Sequence, residues 1–246
     1  MDKLPLKLKR DLITEAVFEI RFGSSYPSGA IFGIVYQIIS KHYENIQNIP
    51  LPILQIPEAV RSADPNLKYQ PHNKLQVDSC GFNVGSNVIN FFVQKPYIGW
   101  SKWKPLIENI ITELLNINLF KTVERTGLRY IDFIEKNLFS IANMSIEITG
   151  KKLTNEQTSF RTEFADDNYT KIVQMHNNVN VILENNQLVT GSLIDIDVVR
   201  NLNSEGIEIF SQKWRDILEE SHQKSKSMFF NLLKKDFLNE LEPVYE

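Results

Sequence analysis

Asp195 and Asp197 are the residues whose spacing most readily supports chemistry. They lie in the run Leu193-Ile194-Asp195-Ile196-Asp197-Val198-Val199. The alternation reads as a β-strand, where side chains two residues apart share a face at about 7 Å. Ile194, Ile196 and Val198 then point one way and both carboxylates the other. Two carboxylates on one face can hold Mg²⁺ or Mn²⁺ for phosphoryl transfer or nucleic-acid hydrolysis. The same pattern also describes the solvent face of an antiparallel sheet, its acids paired with Lys or Arg on a neighbouring strand. No third carboxylate can be placed beside them from sequence, so the structural reading is preferred. Asp195 and Asp197 stay candidates, no catalytic residue or metal ligand is assigned, and no cofactor is expected.

Arg125, Arg129, Arg161 and Arg200 fall on expected strands or at their ends. Together they could make an anion-binding surface, since the guanidinium fork suits phosphate. The competing reading is salt bridging to Glu124, Asp132, Glu163 and Asp195. Glu15 and Glu19 on one strand are about 13 Å apart, too far for a paired general acid and base. Arg21 is placed to neutralise Glu19. Tyr97, Trp100 and Trp103 interleave with Lys95, Lys102 and Lys104. That could be a stacking platform for single-stranded nucleic acid. A loop and helix start whose aromatics dock in the core is preferred. His42 and His222 lie on or beside apolar helix faces and read as core or interface residues. Gly81-Phe82-Asn83-Val84-Gly85 lacks the Gly-Lys-Ser/Thr of a phosphate loop.

Composition removes several classes. The 246 residues carry 27 Lys+Arg against 30 Asp+Glu, a net charge of −3, with 42% hydrophobic and 23% charged residues. These are globular values, and a chain of this length can bury roughly 70–75% of its unfolded surface without staples. Cys80 is the one cysteine, which excludes an intrachain disulfide framework and a cysteine zinc cage. The four histidines form neither H-E-x-x-H nor H-x-H. Met1–Arg10 is basic but is not followed by an apolar core, so no secretory signal is expected. No apolar run is long enough to span a membrane. The slight acidity argues against a dedicated nucleic-acid binder, although a local basic patch is compatible with it.

The elements that must position these residues are largely periodic. From Glu15 to Phe22, Ala16, Phe18, Ile20 and Phe22 alternate with Glu15, Val17, Glu19 and Arg21, a half-buried strand. Ser28 is expected to cap a helix over Gly29–Tyr43, with Ile31, Ile34, Val35, Ile38, Ile39 and His42 on one face. Residues 49–74 hold half of the 10 prolines and are expected to be a loop with short edge strands. Gly85-Ser86-Asn87 turns Phe82–Val84 onto Val88–Val93. Ser101 is the expected cap of a second helix, with Pro105 in its first turn and Trp103, Leu106 or Ile107, Ile110, Ile111 and Leu114 buried. Val123–Ile134 reads as a strand whose apolar phase slips at Gly127.

The second half reads as about five antiparallel strands. Met144–Thr149 and Phe160–Phe164 are followed by Val179–Leu183 and Ser192–Val199, with turns at Asp166-Asp167-Asn168 and Asn177-Asn178. A long helix follows, with Trp214, Ile217, Leu218, Ser221, Ser225, Met228, Phe229 and Leu232 on one face. Its serines would allow close approach. The expected class is α+β, with predominantly antiparallel sheets and three long helices. The expected organisation is an N-terminal strand and helix lobe over 1–137 and a C-terminal meander with a long helix over 138–246, or one continuous domain.

Four segments, Ile13–Phe22, Arg125–Asp132 (Arg-Thr-Gly-Leu-Arg-Tyr-Ile-Asp), Leu193–Val198 and Leu218–His222 running on to Leu241-Glu242-Pro243, carry a resemblance. Their order and spacing resemble a sporadically distributed family of uncharacterised bacterial and archaeal proteins of similar length. The resemblance covers nearly the whole chain. The opening strand and the Gly-Leu-Arg-Tyr segment are its most specific pieces. Family members usually have Asn where this chain has Asp132, and often Asp where it has Ser221. The resemblance implies a cytoplasmic prokaryotic protein and, from the family's patchy distribution, a defence- or mobile-element-associated role, phage defence among them. It implies no activity, cofactor or catalytic residue.

The leading expectation is a non-enzymatic protein-interaction module that binds itself or another protein through sheet edges and the C-terminal helix. The alternatives are a divalent-metal-dependent phosphotransferase or nuclease using Asp195 and Asp197, and a nucleic-acid-binding module using the arginines. The apolar stripe from Trp214 continues through Met228 and Phe229 to Phe237 and Leu241. As one helix, Trp214–Leu241 would span about 40 Å, longer than a typical strand can cover. These five residues are therefore the interface candidates, with a homodimer as the expected assembly. A bend near Lys234-Lys235-Asp236 would instead return them to the chain's own core.

Overall fold

The computed structural model describes residues 4–182, 186–202 and 206–245. Leu183, the end of one expected strand, lies outside the described residues. In chain order the first elements are β1 (Lys7–Leu8), β2 (Ile13–Gly23), α1 (Ser28–Ile39), β3 (Gln47–Pro50) and α2 (Glu58–Ala63). Next come β4 (Asn73–Val77), β5 (Cys80–Val84), β6 (Val88–Gln94), α3 (Trp100–Asn116) and β7 (Thr122–Ile134). Then follow α4 (Leu138–Ile141), β8 (Glu147–Ile148), β9 (Lys151–Lys152), β10 (Thr158–Asp166) and β11 (Tyr169–Ile182). The chain ends with β12 (Leu188–Asn201), α5 (Gly206–Leu232), α6 (Lys235–Glu240) and β13 (Pro243–Val244).

Among the described residues, nine strands form a mostly antiparallel sheet in the order β10-β11-β12-β7-β2-β6-β5-β4-β3. The class is α+β, as the sequence patterns indicate, and α1, α3 and α5 are the three helices of seven or more residues among the described ones. No helix among the described residues is long and apolar enough to cross a membrane. The chain divides into two compact units, each built from separated segments.

One unit comprises Glu15–Leu128 and Val199–Glu219. In β2, Ala16, Phe18, Ile20 and Phe22 are fully buried, as strict alternation requires. Phe18 pairs with Phe91 of β6, and β5 and β6 form the hairpin expected around Gly85-Ser86-Asn87. Helix α1 buries Ile31, Val35, Ile38 and Ile39. Helix α3 buries Trp103, Ile107, Ile110, Ile111 and Leu114. The helix starts differ from expectation. Ser28 is the first residue of α1 after Pro27, and its hydroxyl bonds Glu58 rather than capping. Helix α1 ends at Ile39, so His42 falls beyond it and pairs with Glu113. Gly99, at φ 89, precedes α3 in the place expected for Ser101. Pro105 is inside the helix, where the Ser101 carbonyl it leaves without a helical partner belongs to an exposed residue. Within 49–74, β3 is the expected short edge strand, but Pro57 opens the unforeseen helix α2.

The other unit comprises Met1–Thr14, Arg129–Val198 and Glu220–Glu246. Its core joins Val173 and Met175 of β11, Ile194, Ile196 and Val198 of β12, and Leu138, Ile141, Leu233, Phe237 and Leu241. Ser221 and Ser225 of α5 are 1% and 2% exposed, small side chains in the buried stripe. Gly191 answers another close approach, since a Cβ there would collide with the Ile134 carbonyl oxygen. The expected strand over Met144–Thr149 shrinks to the two-residue pair β8–β9. Asn177-Asn178 does not end a strand. Asn178 takes φ 56 inside β11, and Asn177 links Leu138 N–H, Ser192 and the Glu156 carbonyl.

The long apolar stripe is broken by a bend. Helix α5 stops at Leu232, and Asn143 donates to the Leu233 carbonyl at 2.8 Å and, from its backbone, to the Leu232 carbonyl at 2.6 Å. Lys234 N–H donates to the Ile141 carbonyl at 2.7 Å. These partners satisfy groups that a helix end leaves orphaned. Helix α6 then returns Phe237 and Leu241 to the core at 6% and 4% exposure.

Candidate functional site

The best-defined polar constellation runs across β11, β12 and β7. Alternation puts Asp195 on the face of β12 opposite the core residues Ile194 and Ile196. Arg129 of β7 donates Nε to Asp195 Oδ1 at 2.8 Å and Nη2 to Oδ2 at 2.5 Å. Gln174 of β11 donates Nε2 to Oδ2 at 3.2 Å. The carboxylate is thus held by a fork and an amide, a charge-assisted geometry that fixes both oxygens. Asp197, half-buried, shares that face of β12. Among the described residues, no group of three or more His, Cys, Asp or Glu side chains comes together as metal ligands do.

Asp132 of β7 lies on the other face, with Leu128, Tyr130 and Ile134. It is 3% exposed, and burial pushes its carboxyl well above the usual range, helped by the charges of Asp11 and Asp195. Next to it in the alternation, the Tyr130 hydroxyl meets His222 Nδ1 of α5 at 3.0 Å. Two lysines, Lys224 and Lys171, lie 2.9 and 3.0 Å from Asp166 and hold its carboxyl below the usual range.

Arg129 and Arg161 belong to one unit, and Arg125 and Arg200 to the other. Arg161 pairs with Glu163 on the same strand at 2.5 Å. Arg125 pairs with Glu19, and Arg21 meets the same carboxylate at 2.7 Å. Arg200 is half-buried at the end of β12. The aromatic cluster docks inward: Trp103 is 2% exposed, with the rings of Trp100 and Tyr97 edge-on to it. Trp100 and Lys104 both donate to Glu219, at 3.1 and 2.7 Å.

Of the interface candidates, Trp214, Phe237 and Leu241 are buried within the chain, while Met228 and Phe229 are partly buried against its core. The bend after α5 supplies the reason for Phe237 and Leu241. A cleft of about 410 Å³ is lined by Thr112, Ser211, Trp214 and Arg215, and another of about 550 Å³ by Phe139, Met144, Leu153 and Lys234. Neither includes Asp195 or Asp197.

Strand β10 is an exposed terminal strand. Among the described residues it pairs only with β11, at one end of the sheet, and Ser159 and Arg161–Ala165 are exposed. Phe164 is 45% exposed. Two features escaped the sequence reading. Gln174 joins Asp195 only through strand register, which no local pattern encodes. Arg61 carries Nε and Nη1 buried without a hydrogen-bond partner, on the helix that the proline-rich composition concealed. No family model and no curated protein matches the sequence.

Proposed function

We propose that this chain is a non-enzymatic protein-interaction module that recognises another polypeptide through strand addition at the β10 edge. The observation carrying this reading is that β10 ends the sheet with nine residues and no Pro, Gly or Lys, exposed for most of its length. Such an edge offers a row of backbone donors and acceptors to an incoming strand, and alternate side chains can set the specificity. The opposite end contrasts with it: β3 has four residues and ends in Pro50, two devices that protect an edge. The C-terminal helix, the other expected binding element, gives most of its apolar stripe to the chain's own core. The motif resemblance adds the expectation of a prokaryotic cytoplasmic setting and a role in phage defence or on mobile elements.

The test is photo-crosslinking in living cells with a photoreactive amino acid in place of Phe164. The reading expects a covalent protein adduct, lost when Glu163→Pro blocks the edge. Folded protein that yields no adduct contradicts it.

A further inference from the structure

The sequence of β10 complements itself when two copies run antiparallel. Two residues, Asp167 and Asn168, join the paired Asp166 and Tyr169 in the β10–β11 hairpin. A two-residue hairpin closes on a pair that exchanges both hydrogen bonds, and bonded pairs then alternate with unbonded ones. Phe160, Thr162, Phe164 and Asp166 therefore direct their backbone groups to β11. Ser159, Arg161, Glu163 and Ala165 direct theirs outward, away from the sheet.

We infer that two copies of this chain associate through β10, antiparallel and centred on Thr162. The inference rests on the interaction reading of this edge and names its partner. Only outward-directed residues can form the bonded pairs, so Ser159, Arg161, Glu163 and Ala165 must face one another. Centred on Thr162, Arg161 faces Glu163 of the second copy and Glu163 faces its Arg161, while Ser159 faces Ala165. On the other face of the strand, Phe160 meets Phe164 of the second copy on either side of a Thr162–Thr162 pair. Those pairs lie at unbonded positions, where side chains are closest. A centre on Arg161 would set two arginines against each other, and a centre on Glu163 two glutamates. Charge therefore selects the register. The side chains of Arg161 and Glu163 are 54% and 48% exposed and bridged to each other within one chain, so re-pairing across the two-fold exchanges like for like. The arrangement is isologous and closed, and it consumes the edge it uses.

The test is sedimentation equilibrium of the full chain and four variants. The parent is expected to be a dimer at tens of micromolar. Arg161→Glu and Glu163→Arg each turn both ion pairs repulsive, and each is expected to weaken the dimer about tenfold or more. Mixed one to one, the two single variants regain unlike charge at every pair and form a heterodimer, and the double variant Arg161→Glu/Glu163→Arg regains the homodimer. Glu163→Pro removes an outward N–H that β11 does not use, and gives a folded monomer. A monomeric parent, single variants that dimerise as the parent does, or a mixture that stays monomeric would each overturn the proposal. A monomeric parent whose position 164 still crosslinks to a different protein in cells removes the second copy and leaves the interaction reading intact. A monomeric parent with no adduct removes both.

Discussion

Arg129 and Asp195 face each other from β7 and β12 through two hydrogen bonds, one to each carboxylate oxygen. The carboxylate is 4% exposed and the guanidinium side chain 44%. Arg129 already neutralises this carboxylate, and with Gln174 it takes three of its roughly four lone-pair positions, which leaves a divalent ion a single acceptor position on Asp195.

Millimolar Mg²⁺ or Mn²⁺ should therefore leave the melting temperature unchanged. Thermal unfolding with and without the ions checks this. A rise of several degrees, lost in Asp197→Ala but kept in surface controls, would favour metal chemistry at this face through binding linkage.

Removing the guanidinium should expose the dependence of Asp195 on it. Arg129→Ala leaves a buried carboxylate with Gln174 as its remaining described partner, and is expected to cost about 1–3 kcal/mol in chemical denaturation. Partial exposure of Arg129 keeps this below the cost of breaking a fully buried pair. Arg129→Ala/Asp195→Asn should recover part of the loss, because no uncompensated charge remains.

Asp132 makes the opposite electrostatic statement. Its folded-state pKa is raised by burial and then by Asp11 and Asp195, so the folded chain binds a proton more tightly than the unfolded one. Linkage then makes its contribution to stability fall as pH rises from the unfolded carboxyl value, about 3.9, through the raised folded value. Asp132→Asn should melt above the parent at pH 8, and the gap should close toward pH 4. A gap independent of pH would contradict this assignment.

Phe237 should behave as core. Phe237→Ala is expected to cost about 3 kcal/mol and leave the association state of the folded protein unaltered. Equilibrium denaturation gives the first value and sedimentation the second. A folded Phe237→Ala chain with weakened association would return this residue to an interface.

Periodicity made much of this architecture legible. The alternation of β2, the stripes of α1 and α3, the faces of β12 and the serines of α5 all follow from side-chain spacing. The pairing of Asp195 with an arginine on a neighbouring strand followed from the same parity. Helix ends were less legible. Ser28 and Ser101 have capping chemistry, yet Pro27 and Gly99 occupy the boundaries because backbone φ decides there. Pro57 looks like a breaker and begins α2. Asn177-Asn178 looks like a turn, but one left-handed residue and the side-chain bonds of both asparagines carry β11 through it. Strand order and the bend after Leu232 depend on partners distant in sequence, Asn143 and Ile141 among them. The exposed edge was likewise hidden, since Phe160-Arg161-Thr162-Glu163-Phe164 alternates like a half-buried strand and only the sheet order makes it terminal.

Amide hydrogen exchange along β10, measured across a dilution series, tests the pairing edge most directly. The N–H groups of Thr162 and Phe164, bonded to β11, should be protected at every concentration. Those of Arg161 and Glu163 should exchange freely in dilute protein and gain protection together as concentration rises through dimerisation. Arg161 and Glu163 amides that exchange freely at every concentration, in a protein whose Thr162 and Phe164 amides stay protected, would contradict the account.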